Sequence, residues 1–472
     1  MKGLLFAAAE GLPYIKSGGL ADVIGSLPKY LDKEKYQIAV VLPMYKKIIE
    51  KYNPEKIADF HVQSGIISKD AQLYKEVRDG TEYYFIRQDD YFYRDGMYGY
   101  ADDGERFAFY NKAVLEMLSY IPFKIDIIHT HDWHTGMIPI LAKKEYTDEY
   151  HNSIKHVFTI HNLAFQGNFP RELMNCFNLH SKYWDNGDLK FDTGMSFMKG
   201  ALTYADKITT VSNSYAAEIL SPEYGERMEG PLSYRRNDLW GIVNGIDVES
   251  WNPATDPDIY ANYSLKSMAN KKKCKADIQR RLGLRQDPNV LLMGMVSRLT
   301  WQKGASLLIE KMSQIMGQDV QLIILGSGDN YIENQLKRIE FDYPHRAVFY
   351  CGYDEALSHS IYAGVDLFLM PSLFEPCGIS QLISMRYGTL PLVREVGGLR
   401  DTVIPYNEYT KQGTGFTFKN FSGDDFIYMI KYAIEVYYYR KDDWKQMMKN
   451  AMKEDVSWEK SCLIYDQLYS CL

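Results

Sequence analysis

The sequence predicts an α/β protein built from two Rossmann-like domains, in which helices cover both faces of a doubly wound parallel sheet. Three observations lead to this prediction. Short apolar runs alternate with segments of helical periodicity through both halves of the chain. Most of the runs end in turns that carry glycine or charged side chains. In open α/β sheets, ligands bind at the edge formed by the carboxyl ends of the strands. At 472 residues the chain is too long for one hydrophobic core.

The predicted strands are apolar runs that turn residues bound on both sides. In the first half they cover residues 4–9, 37–42, 82–86, 125–129, 155–160, 206–211 and 240–247. In the second half they cover residues 290–296, 321–325, 347–350, 365–370 and 390–393, with a last extended piece from residue 416. Helices are expected between them, including an amphipathic one over residues 111–120 and another over residues 379–387. A polar, proline-rich segment at residues 251–258 marks the domain boundary.

Composition and charge narrow the range of functions. The apolar fraction of 46% and the charged fraction of 24% are ordinary for a soluble enzyme. A formal net charge of −7 argues against a nucleic-acid binder, and no apolar run is long enough for a transmembrane helix. The six cysteines are scattered without a C-x-x-C pair, and the first apolar run is too short for a signal peptide. A reduced, cytoplasmic protein is therefore expected.

A lysine and paired glycines follow the first predicted strand. The segment Lys16-Ser17-Gly18-Gly19 does not have the G-x-G-x-x-G spacing of nicotinamide-binding domains. Paired glycines can turn their backbone N–H groups toward a phosphate, and the lysine ammonium adds a point charge. The alternative is a glycine turn required only for packing, with a solvated lysine.

Histidines and an aspartate follow two further predicted strands. His129, His131, Asp132 and His134 lie at the end of one strand, and His161 lies directly after the next. The histidine spacing lacks the H-E-x-x-H pattern and a cysteine partner, so a metal site is not favoured. Because several strands place polar side chains at one edge of the sheet, a polar cleft is the preferred interpretation. For His161 the alternative is a capping or core histidine.

A second candidate metal pattern lies in the linker. Asp256 and Asp258 form a D-x-D pair, but they do not follow a strand, and Pro257 between them favours a turn. We therefore reject this pair as a metal site.

Two cations and a carboxylate follow strands of the second half. Arg298 and Lys303 lie five residues apart in one turn, so both can reach a single diphosphate and stabilise charge on a leaving phosphate. Glu375 lies in the turn after the run at 365–370, where Gly378 permits close approach of the backbone to a ligand. The alternatives are two solvated cations and an ordinary loop between a strand and a helix.

These motifs together resemble the family of bacterial glycogen synthases and plant starch synthases, which are glycosyltransferases. The resemblance covers nearly the whole chain in the family's order, and K-x-G-G-L together with H-D-W-H and E-P-C-G is highly specific for it. The matching segments are residues 16–23, 131–134, 159–167, 243–247, 297–304, 374–378 and 397–403.

The resemblance implies the GT-B fold, in which two Rossmann-like domains face each other across a deep cleft. It places the acceptor side and the K-x-G-G-L loop in an N-terminal domain at residues 1–247. The nucleotide-sugar donor side is expected in residues 248–455. Residues 456–472 are expected to form a helix that crosses back to the N-terminal domain.

The resemblance also implies an activity, the retaining transfer of glucose from ADP-glucose to the non-reducing end of an α-1,4-glucan with release of ADP. No metal or other cofactor is expected. The expected partners are ADP-glucose and glucans such as glycogen or maltooligosaccharides, with no nucleic acid and no membrane, and the oligomeric state stays open. The alternatives are a glucosyltransferase that uses UDP-glucose or another acceptor, an inactive glucan-binding homologue and, for localisation, a plastid form without its transit peptide.

The same motifs assign roles to the charged loops. By resemblance, Arg298 and Lys303 are expected to bind the diphosphate. Lys16 and the backbone of Gly18 and Gly19 are expected to close on the donor.

Further roles follow for the remaining motif positions. His161 is expected to contact the glucosyl unit near its reacting carbon, with support from Asp132. Glu375 would bind glucose hydroxyls, Ser380 a phosphate oxygen, and Tyr353 the adenine. The resemblance also places four more residues at the substrate, namely Asp22, Asn162, Cys377 and Gly378.

Two positions depart from related patterns. Other retaining GT-B enzymes often carry a second glutamate eight residues after the first, where this chain has Ile383, as the synthase family does. The threonine that often precedes the paired glycines of the last motif is Val396 here, so its hydroxyl is absent. Without a second carboxylate, a front-face displacement is predicted rather than a covalent glucosyl-enzyme route.

Overall fold

The computed structural model describes residues 1–472, which form two compact units. The first unit contains Met1–Asn244 together with Trp458–Leu472, and the second contains Gly245–Ser457. The sequence places the limits at residues 247 and 455, and both differ slightly from those observed. The reason is that Ile246 joins the second unit, where its N–H donates to the Val456 carbonyl at 2.8 Å.

The first unit has twelve strands, nine of which form one sheet. The strands are β1 (Lys2–Ala7), β2 (Tyr36–Pro43), β3 (Glu55–Ser64), β4 (Ile67–Arg78), β5 (Thr81–Arg87), β6 (Ile127–His131), β7 (Lys155–Ile160), β8 (Asn168–Phe169), β9 (Lys190–Phe191), β10 (Gly194–Ser196), β11 (Lys207–Thr210) and β12 (Leu239–Gly241). The large sheet has the order β12-β11-β7-β6-β1-β2-β5-β4-β3. Its pairs are parallel except β3 with β4 and β4 with β5. β1 is buried from Gly3 to Ala7, as expected for a parallel strand that is covered on both faces.

Ten helices surround this sheet. They are α1 (Gly19–Tyr30), α2 (Lys46–Lys51), α3 (Asp89–Phe92), α4 (Asp103–Glu116), α5 (Ile138–Lys144), α6 (Glu149–Ser153), α7 (Lys182–Asp185), α8 (Phe197–Tyr204), α9 (Asn213–Glu218) and α10 (Glu229–Tyr234). Short 3₁₀ turns cover Met117–Tyr120, Trp133–Thr135 and Arg171–Cys176.

The strand order of the first sheet explains where its polar residues gather. β2 lies on one side of β1 and β6 lies on the other, so the order reverses at β1. The loops that follow β1, β6 and β7 therefore begin at the carboxyl ends of three adjacent strands and lie at the same edge of the sheet. These loops carry Lys16, Asp132 and His161, which the sequence singles out.

The second unit has a six-stranded sheet in which every pair is parallel. Its strands are β13 (Leu291–Val296), β14 (Val320–Gly326), β15 (Ala347–Cys351), β16 (Leu367–Met370), β17 (Leu390–Arg394) and β18 (Phe416–Phe418). The order is β15-β14-β13-β16-β17-β18, so this sheet reverses at β13. The loops after β13, β16 and β17 again leave adjacent strands, and they carry Arg298, Glu375 and the glycine pair at 397–398.

Nine helices pack around the second sheet. They are α11 (Lys271–Arg281), α12 (Ala305–Met316), α13 (Asn330–Leu336), α14 (Ile339–Asp342), α15 (Glu355–Gly364), α16 (Ser380–Arg386), α17 (Gly397–Thr402), α18 (Gly423–Tyr439) and α19 (Lys441–Lys453), with 3₁₀ turns at Met268–Asn270 and Trp301–Lys303. The core of the unit is apolar and includes Leu291, Ile324, Leu369 and Leu392 from the strands.

The last helix, α20 (Glu459–Ser470), packs on the first unit. The Tyr469 hydroxyl lies 2.7 Å from Nδ1 of His129, and the Tyr469 carbonyl accepts from the Lys2 ammonium at 2.9 Å. Asp466 accepts from Lys35 and from the Tyr36 hydroxyl, both at 2.7 Å. Helix α20 is thus bonded to β1, β2 and β6 of the first sheet.

Some predicted elements differ from the structure in their bounds. β6 continues to His131 because its parallel pairing with β7 extends to His131 and Thr159, so His131 lies in the strand and not after it. The strand predicted at 240–247 is shorter, because the pairing of β12 ends at Gly241. The helix predicted at 111–120 is the end of α4, which is buried on nearly all sides rather than amphipathic.

The antiparallel β3-β4-β5 edge extends beyond the single strand predicted at 82–86, and β8, β10 and β9 form a small separate antiparallel sheet that the sequence does not predict. No helix in the structure combines the length and the apolar character that crossing a membrane requires.

Candidate active site

The loop that carries Lys16 is held in place by Glu10. This glutamate is buried, and its carboxylate accepts hydrogen bonds from the Ser17 N–H, from the Ser17 hydroxyl at 3.0 Å and from the Gly18 N–H. Burial raises the pKa of Glu10, and these hydrogen bonds oppose the rise. Sequence reasoning missed Glu10, although a carboxylate just beyond the first strand is the signal that identifies Glu375 in the second half.

The lysine of this loop has a partner. The Lys16 ammonium lies 2.7 Å from a carboxylate oxygen of Asp22 in α1. Asp22, which the sequence assigns to the substrate, is therefore placed to fix the position of Lys16. The side chain of Lys16 stays exposed.

Gly18 and Gly19 have open space around them. A Cβ atom added to either would meet no other atom within 4 Å, and the φ angle of Gly18, −159°, is extended and open to any residue. Neither crowding within the protein nor the backbone angle of Gly18 therefore requires glycine there, which disfavours the interpretation as a packing turn.

Asp132 has a strained backbone, and both its N–H and its carboxylate form hydrogen bonds. Its φ and ψ angles are 56° and 178°, a region that residues other than glycine seldom occupy and that costs about 1–3 kcal/mol. Its N–H donates to the Thr159 carbonyl at 3.0 Å, and its carboxylate accepts from the His161 N–H at 2.8 Å and from the Asn162 N–H. Asp132 thus connects the end of β6 to the loop after β7. Strained backbone conformations of this kind cluster at functional sites.

His161 lies at the end of β7 and is half-buried. Its Nε2 is 2.9 Å from Nδ1 of His131, a contact that the sequence does not reveal. Burial lowers the pKa of His161 to about 3, so the imidazole is neutral at physiological pH. We call Glu10, Lys16, Asp132, His131 and His161 the first-unit cluster.

The neighbouring histidines have structural partners. Both nitrogens of His129 face hydroxyl groups, those of Tyr469 at 2.7 Å and Thr159 at 2.6 Å, which leaves neither for a metal ion. The ring of His134 stacks on Trp133 with 4.0 Å between centroids. Hydroxyl groups thus occupy both nitrogens of His129, whereas Nδ1 of His134 is buried without a hydrogen-bond partner.

Burial of the Asp132 carboxyl predicts a pH-dependent stability. Burial raises the pKa of Asp132 from 3.8 to about 7. Between those values the unfolded chain ionises while the folded protein keeps the proton, so the wild type loses stability as pH rises from about 4 to about 7. Asp132→Asn removes the titration, and its melting temperature relative to wild type is expected to climb over this range, by an amount equivalent to at most about 1.4 kcal/mol per pH unit.

Melting curves of both proteins between pH 4.5 and pH 8 test this expectation. A difference in melting temperature that stays constant across the series contradicts it, whereas a difference that rises and then levels off above pH 7 supports it. Because asparagine keeps the shape and one acceptor oxygen, the comparison isolates the ionisation.

We call Arg298, Lys303, Ser372 and Glu375 the second-unit cluster. An ion pair between Lys303 and the buried Glu375 lies at its centre. The Lys303 ammonium lies 2.9 and 2.7 Å from the two carboxylate oxygens of Glu375, and the Ser372 hydroxyl donates to the same carboxylate at 3.1 Å. Glu375 is only 5% exposed, whereas the Lys303 side chain keeps 21% of its surface. The sequence assigns Lys303 and Glu375 to separate parts of the substrate, and the structure joins them directly.

Glycines pack the three loops of this cluster together. A Cβ on Gly304 would lie 1.9 Å from the Pro371 carbonyl oxygen, and one on Gly397 would lie 2.0 Å from that of Glu375. The φ angles of Gly304 and Gly397 are 72° and 43°, in the left-handed region that favours glycine. The guanidinium of Arg394, which the sequence did not single out, donates to the carbonyls of Leu373 and Lys419 and so holds the loop that carries Glu375. The carboxylate therefore sits on a rigid support.

Arg298 lies two residues beyond the end of β13, and its side chain is exposed and forms no hydrogen bond or ion pair. Tyr353, in the loop after β15, is 66% exposed. Ser380 is the first residue of α16 and is half-buried, whereas Cys377 is buried. These residues and the Lys303–Glu375 pair all lie beyond the carboxyl ends of strands in the second sheet.

The D-x-D pair is part of an internal network. Oxygens of Asp256, Asp258 and Nδ1 or Nε2 of His359 lie within 4.8 Å of one another. However, one Asp256 oxygen contacts His359 Nδ1 at 2.7 Å and the Tyr387 hydroxyl, while the other accepts from the Asp258 N–H at 2.9 Å. Since Trp251 stacks on His359 at 4.0 Å, the arrangement is explained as a support for the linker.

Comparison with known proteins finds family matches in both halves of the chain. Residues 3–234 match the family described as the starch synthase catalytic domain, and residues 275–453 match the family described as glycosyl transferases group 1. The chain is 46% identical to a glycogen synthase of Clostridium kluyveri, with 99% of each chain covered. It is 45% identical to one of Desulforamulus reducens, with 99% of this chain and 98% of that one covered.

Solved structures show the same relationship. The catalytic domain of starch synthase IV from Arabidopsis thaliana, bound to ADP and acarbose, is 31% identical with a TM-score of 0.93, and 100% of this chain and 99% of that chain are covered. A sucrose-phosphate synthase from Thermosynechococcus elongatus, at 16% identity and a TM-score of 0.64 over 100% and 99% of the chains, shares the fold. The predicted GT-B architecture is confirmed, and the chain belongs to the glycogen synthase and starch synthase family of glycosyltransferases.

Proposed function

We propose that the protein transfers glucose from ADP-glucose to the non-reducing end of an α-1,4-glucan, with retention of configuration and release of ADP. The observation that carries the proposal is the second-unit cluster, in which an unpaired Arg298 follows β13 and a buried Lys303–Glu375 pair joins the loops after β13 and β16. Relatives named glycogen synthase and a starch synthase structure that holds ADP support the choice of substrates.

The second-unit cluster provides charge for the diphosphate. The exposed guanidinium of Arg298 can bind two phosphate oxygens, and Lys303, five residues along the chain, adds an ammonium that is partly exposed. Both stabilise the negative charge that grows on the leaving phosphate when the glucosyl bond breaks. In this scheme Glu375 orients Lys303 and accepts hydrogen bonds from glucose hydroxyls, Ser380 bonds a phosphate oxygen and Tyr353 stacks on the adenine.

The first-unit cluster provides contacts to the sugar and the donor. His161 lies near the reacting carbon in this scheme, and Asp132 fixes its backbone through the 2.8 Å hydrogen bond. Lys16 and the open backbone at Gly18 and Gly19 approach the donor.

The geometry of the carboxylates favours front-face displacement. In that step the acceptor 4-hydroxyl oxygen bonds to the anomeric carbon, the bond to the phosphate oxygen breaks, and the hydroxyl proton passes to the leaving phosphate. Glu375 is engaged by Lys303 and Ser372, and Asp132 is engaged by backbone N–H groups, so neither is a free nucleophile. Mass spectrometry during turnover should find no glucosyl adduct on Glu375 or Asp132, and such an adduct would overturn this route.

The activity is tested by a side-by-side assay. Labelled glucose is supplied as ADP-glucose and as UDP-glucose, each with glycogen and with short maltooligosaccharides. We expect transfer from ADP-glucose to both acceptors, and we expect it to survive a chelator because cationic side chains hold the diphosphate. Preferred transfer from UDP-glucose contradicts the assigned donor, and loss of activity in EDTA contradicts the metal-free scheme. Cytoplasmic localisation is also proposed, because the six cysteines form no disulfide bond, as is usual in reducing compartments.

A substitution at Gly18 separates folding from ligand binding. Gly18→Ala places its Cβ in open space, so the melting temperature should be unchanged. If the backbone of this loop closes on the donor, the methyl group should raise KM for ADP-glucose on the order of tenfold, because it occupies space that the ligand uses. Gly230→Ala is the matched control, since its Cβ also meets nothing within 4 Å and it lies in α10. Equal KM values for wild type and both variants would show that the loop does not approach the donor.

A further inference from the structure

His131 and His161 form an isolated pair of imidazoles. Nδ1 of His131 lies 2.9 Å from Nε2 of His161, and their ring centroids are 5.2 Å apart. His131 is completely buried in β6, whereas His161 is half-buried and its Nδ1 has no partner within the protein. Only one proton can lie between the two nitrogens when both rings are neutral, so one ring donates and the other accepts.

The surroundings of His131 decide which ring donates. Its ring lies against Phe6, with 5.9 Å between centroids, and against His129, with 4.2 Å between centroids. Its other nitrogen, Nε2, is buried and has no hydrogen-bond partner. His129 cannot supply one, because both of its nitrogens already face the hydroxyls of Tyr469 and Thr159.

Both rings are neutral in this setting. Burial lowers the pKa of His131 well below its ordinary value, and burial lowers that of His161 to about 3. Two neutral arrangements remain. If His161 donates, the proton of His131 sits on the buried Nε2 and has no acceptor. If His131 donates, Nε2 is an unpaired acceptor, and native structures tolerate unpaired acceptors better than orphaned N–H groups.

We propose that His131 is a positioning residue that donates its Nδ1–H to Nε2 of His161 and thereby fixes His161 as the tautomer with its proton on Nδ1. His161 then presents an N–H donor at its open nitrogen rather than an acceptor. Such a donor recognises a ligand oxygen that carries lone pairs or partial negative charge, such as a sugar hydroxyl. This inference rests on the proposed function, in which His161 contacts the glucosyl unit.

The tautomer can be read without substrate. The chain contains ten histidines, so selective ¹⁵N labelling of histidine leaves a small set of ring signals, and His161→Asn identifies those of His161. Long-range ¹H–¹⁵N spectra of the wild type at pH 7.5 should show a protonated, pyrrole-type Nδ1 and a pyridine-type Nε2 for His161. The reverse pattern overturns the inference, whatever activity the protein has.

Two variants of His131 test its role. His131→Asn retains an N–H donor close to the position of Nδ1 and should keep the His161 tautomer. His131→Phe keeps a ring of similar size but has no donor, so Nε2 of His161 loses its partner and the two tautomers should mix. His156→Phe is the control, since His156 is buried in β7 with both ring nitrogens unpaired and has no contact with His161.

Kinetics complete the test. His131→Phe should lower kcat of glucosyl transfer on the order of tenfold or more with a smaller change in KM, as expected when an imidazole is left in the wrong tautomer. His131→Asn should recover most of kcat, and His156→Phe should behave as wild type. If His131→Phe leaves the His161 signals unchanged, His131 does not set the tautomer. If the tautomer shifts and kcat does not, the assignment of His161 to the glucosyl unit fails while the tautomer inference stands.

Discussion

Replacing Arg298 with alanine is expected to lower kcat/KM for glucosyl transfer by about 10² to 10³ while leaving the melting temperature unchanged. The side chain is exposed and makes no hydrogen bond or ion pair, so folding does not depend on it. In the proposed scheme its loss removes two parallel donors to the diphosphate, whose leaving phosphate gains negative charge in the transition state. Steady-state rates with ADP-glucose, together with thermal melts, measure both quantities.

Two matched variants sharpen the result. Arg298→Lys keeps the charge but not the two-pronged donor geometry, and it should recover only part of the rate. Arg338→Ala removes another exposed arginine of the second unit that lies away from the strand-end loops, and it should keep full activity. Wild-type rates of glucosyl transfer in Arg298→Ala would show that Arg298 does not hold the diphosphate.

Replacing Lys303 with methionine is expected to reduce both stability and activity. Glu375 is nearly inaccessible to water, and without Lys303 its carboxylate keeps only the hydroxyl of Ser372 as a side-chain donor. We expect a loss of about 1–3 kcal/mol in the free energy of unfolding, below the value for a fully buried pair because Lys303 is partly exposed. The rate should fall on the order of 100-fold, since in the proposed scheme the ammonium also stabilises the leaving phosphate.

A double variant separates the two effects. Lys303→Met combined with Glu375→Gln removes the unpaired charge, so it should be more stable than Lys303→Met alone but no faster in glucosyl transfer. Lys311→Met breaks a pair with the exposed Asp424 and should cost under about 1 kcal/mol without affecting the rate. Recovery of activity in the double variant would contradict a direct role for Lys303 at the phosphate.

The fold could be predicted from the sequence because parallel strands buried on both faces appear as continuous apolar runs. The bounds of β7 agree with the predicted run at 155–160, and β13 and β17 differ from theirs by one residue at one end. The antiparallel edge formed by β3 and β4 was not predicted. β3 is exposed along most of its length, and burial alternates only from Phe60 to Ser64, so the pattern is too short to be distinguished from a loop.

The candidate site could be predicted as a set of positions but not as a set of contacts. Strand ends identify Asp132 and His161 in the first unit and Arg298 and Glu375 in the second, because the topology of each doubly wound sheet brings its own strand ends together. The contact between Lys303 and Glu375 spans 72 residues and depends on how two loops pack. The role of each residue in binding and catalysis stays a prediction, and the variants described above test it.

Because helix α20 belongs to the first unit, the first unit is the last of the two to be fully synthesised, although its synthesis starts first. The second unit is one continuous stretch, so all of its residues have been made once translation passes Ser457. The first unit begins at Met1, yet its β1, β2 and β6 bond to residues such as Asp466 and Tyr469, which are translated afterwards. A nascent chain therefore holds a first unit that lacks its final helix until synthesis is complete. Chaperones that act during translation should accordingly engage the first half of this chain for longer than the second.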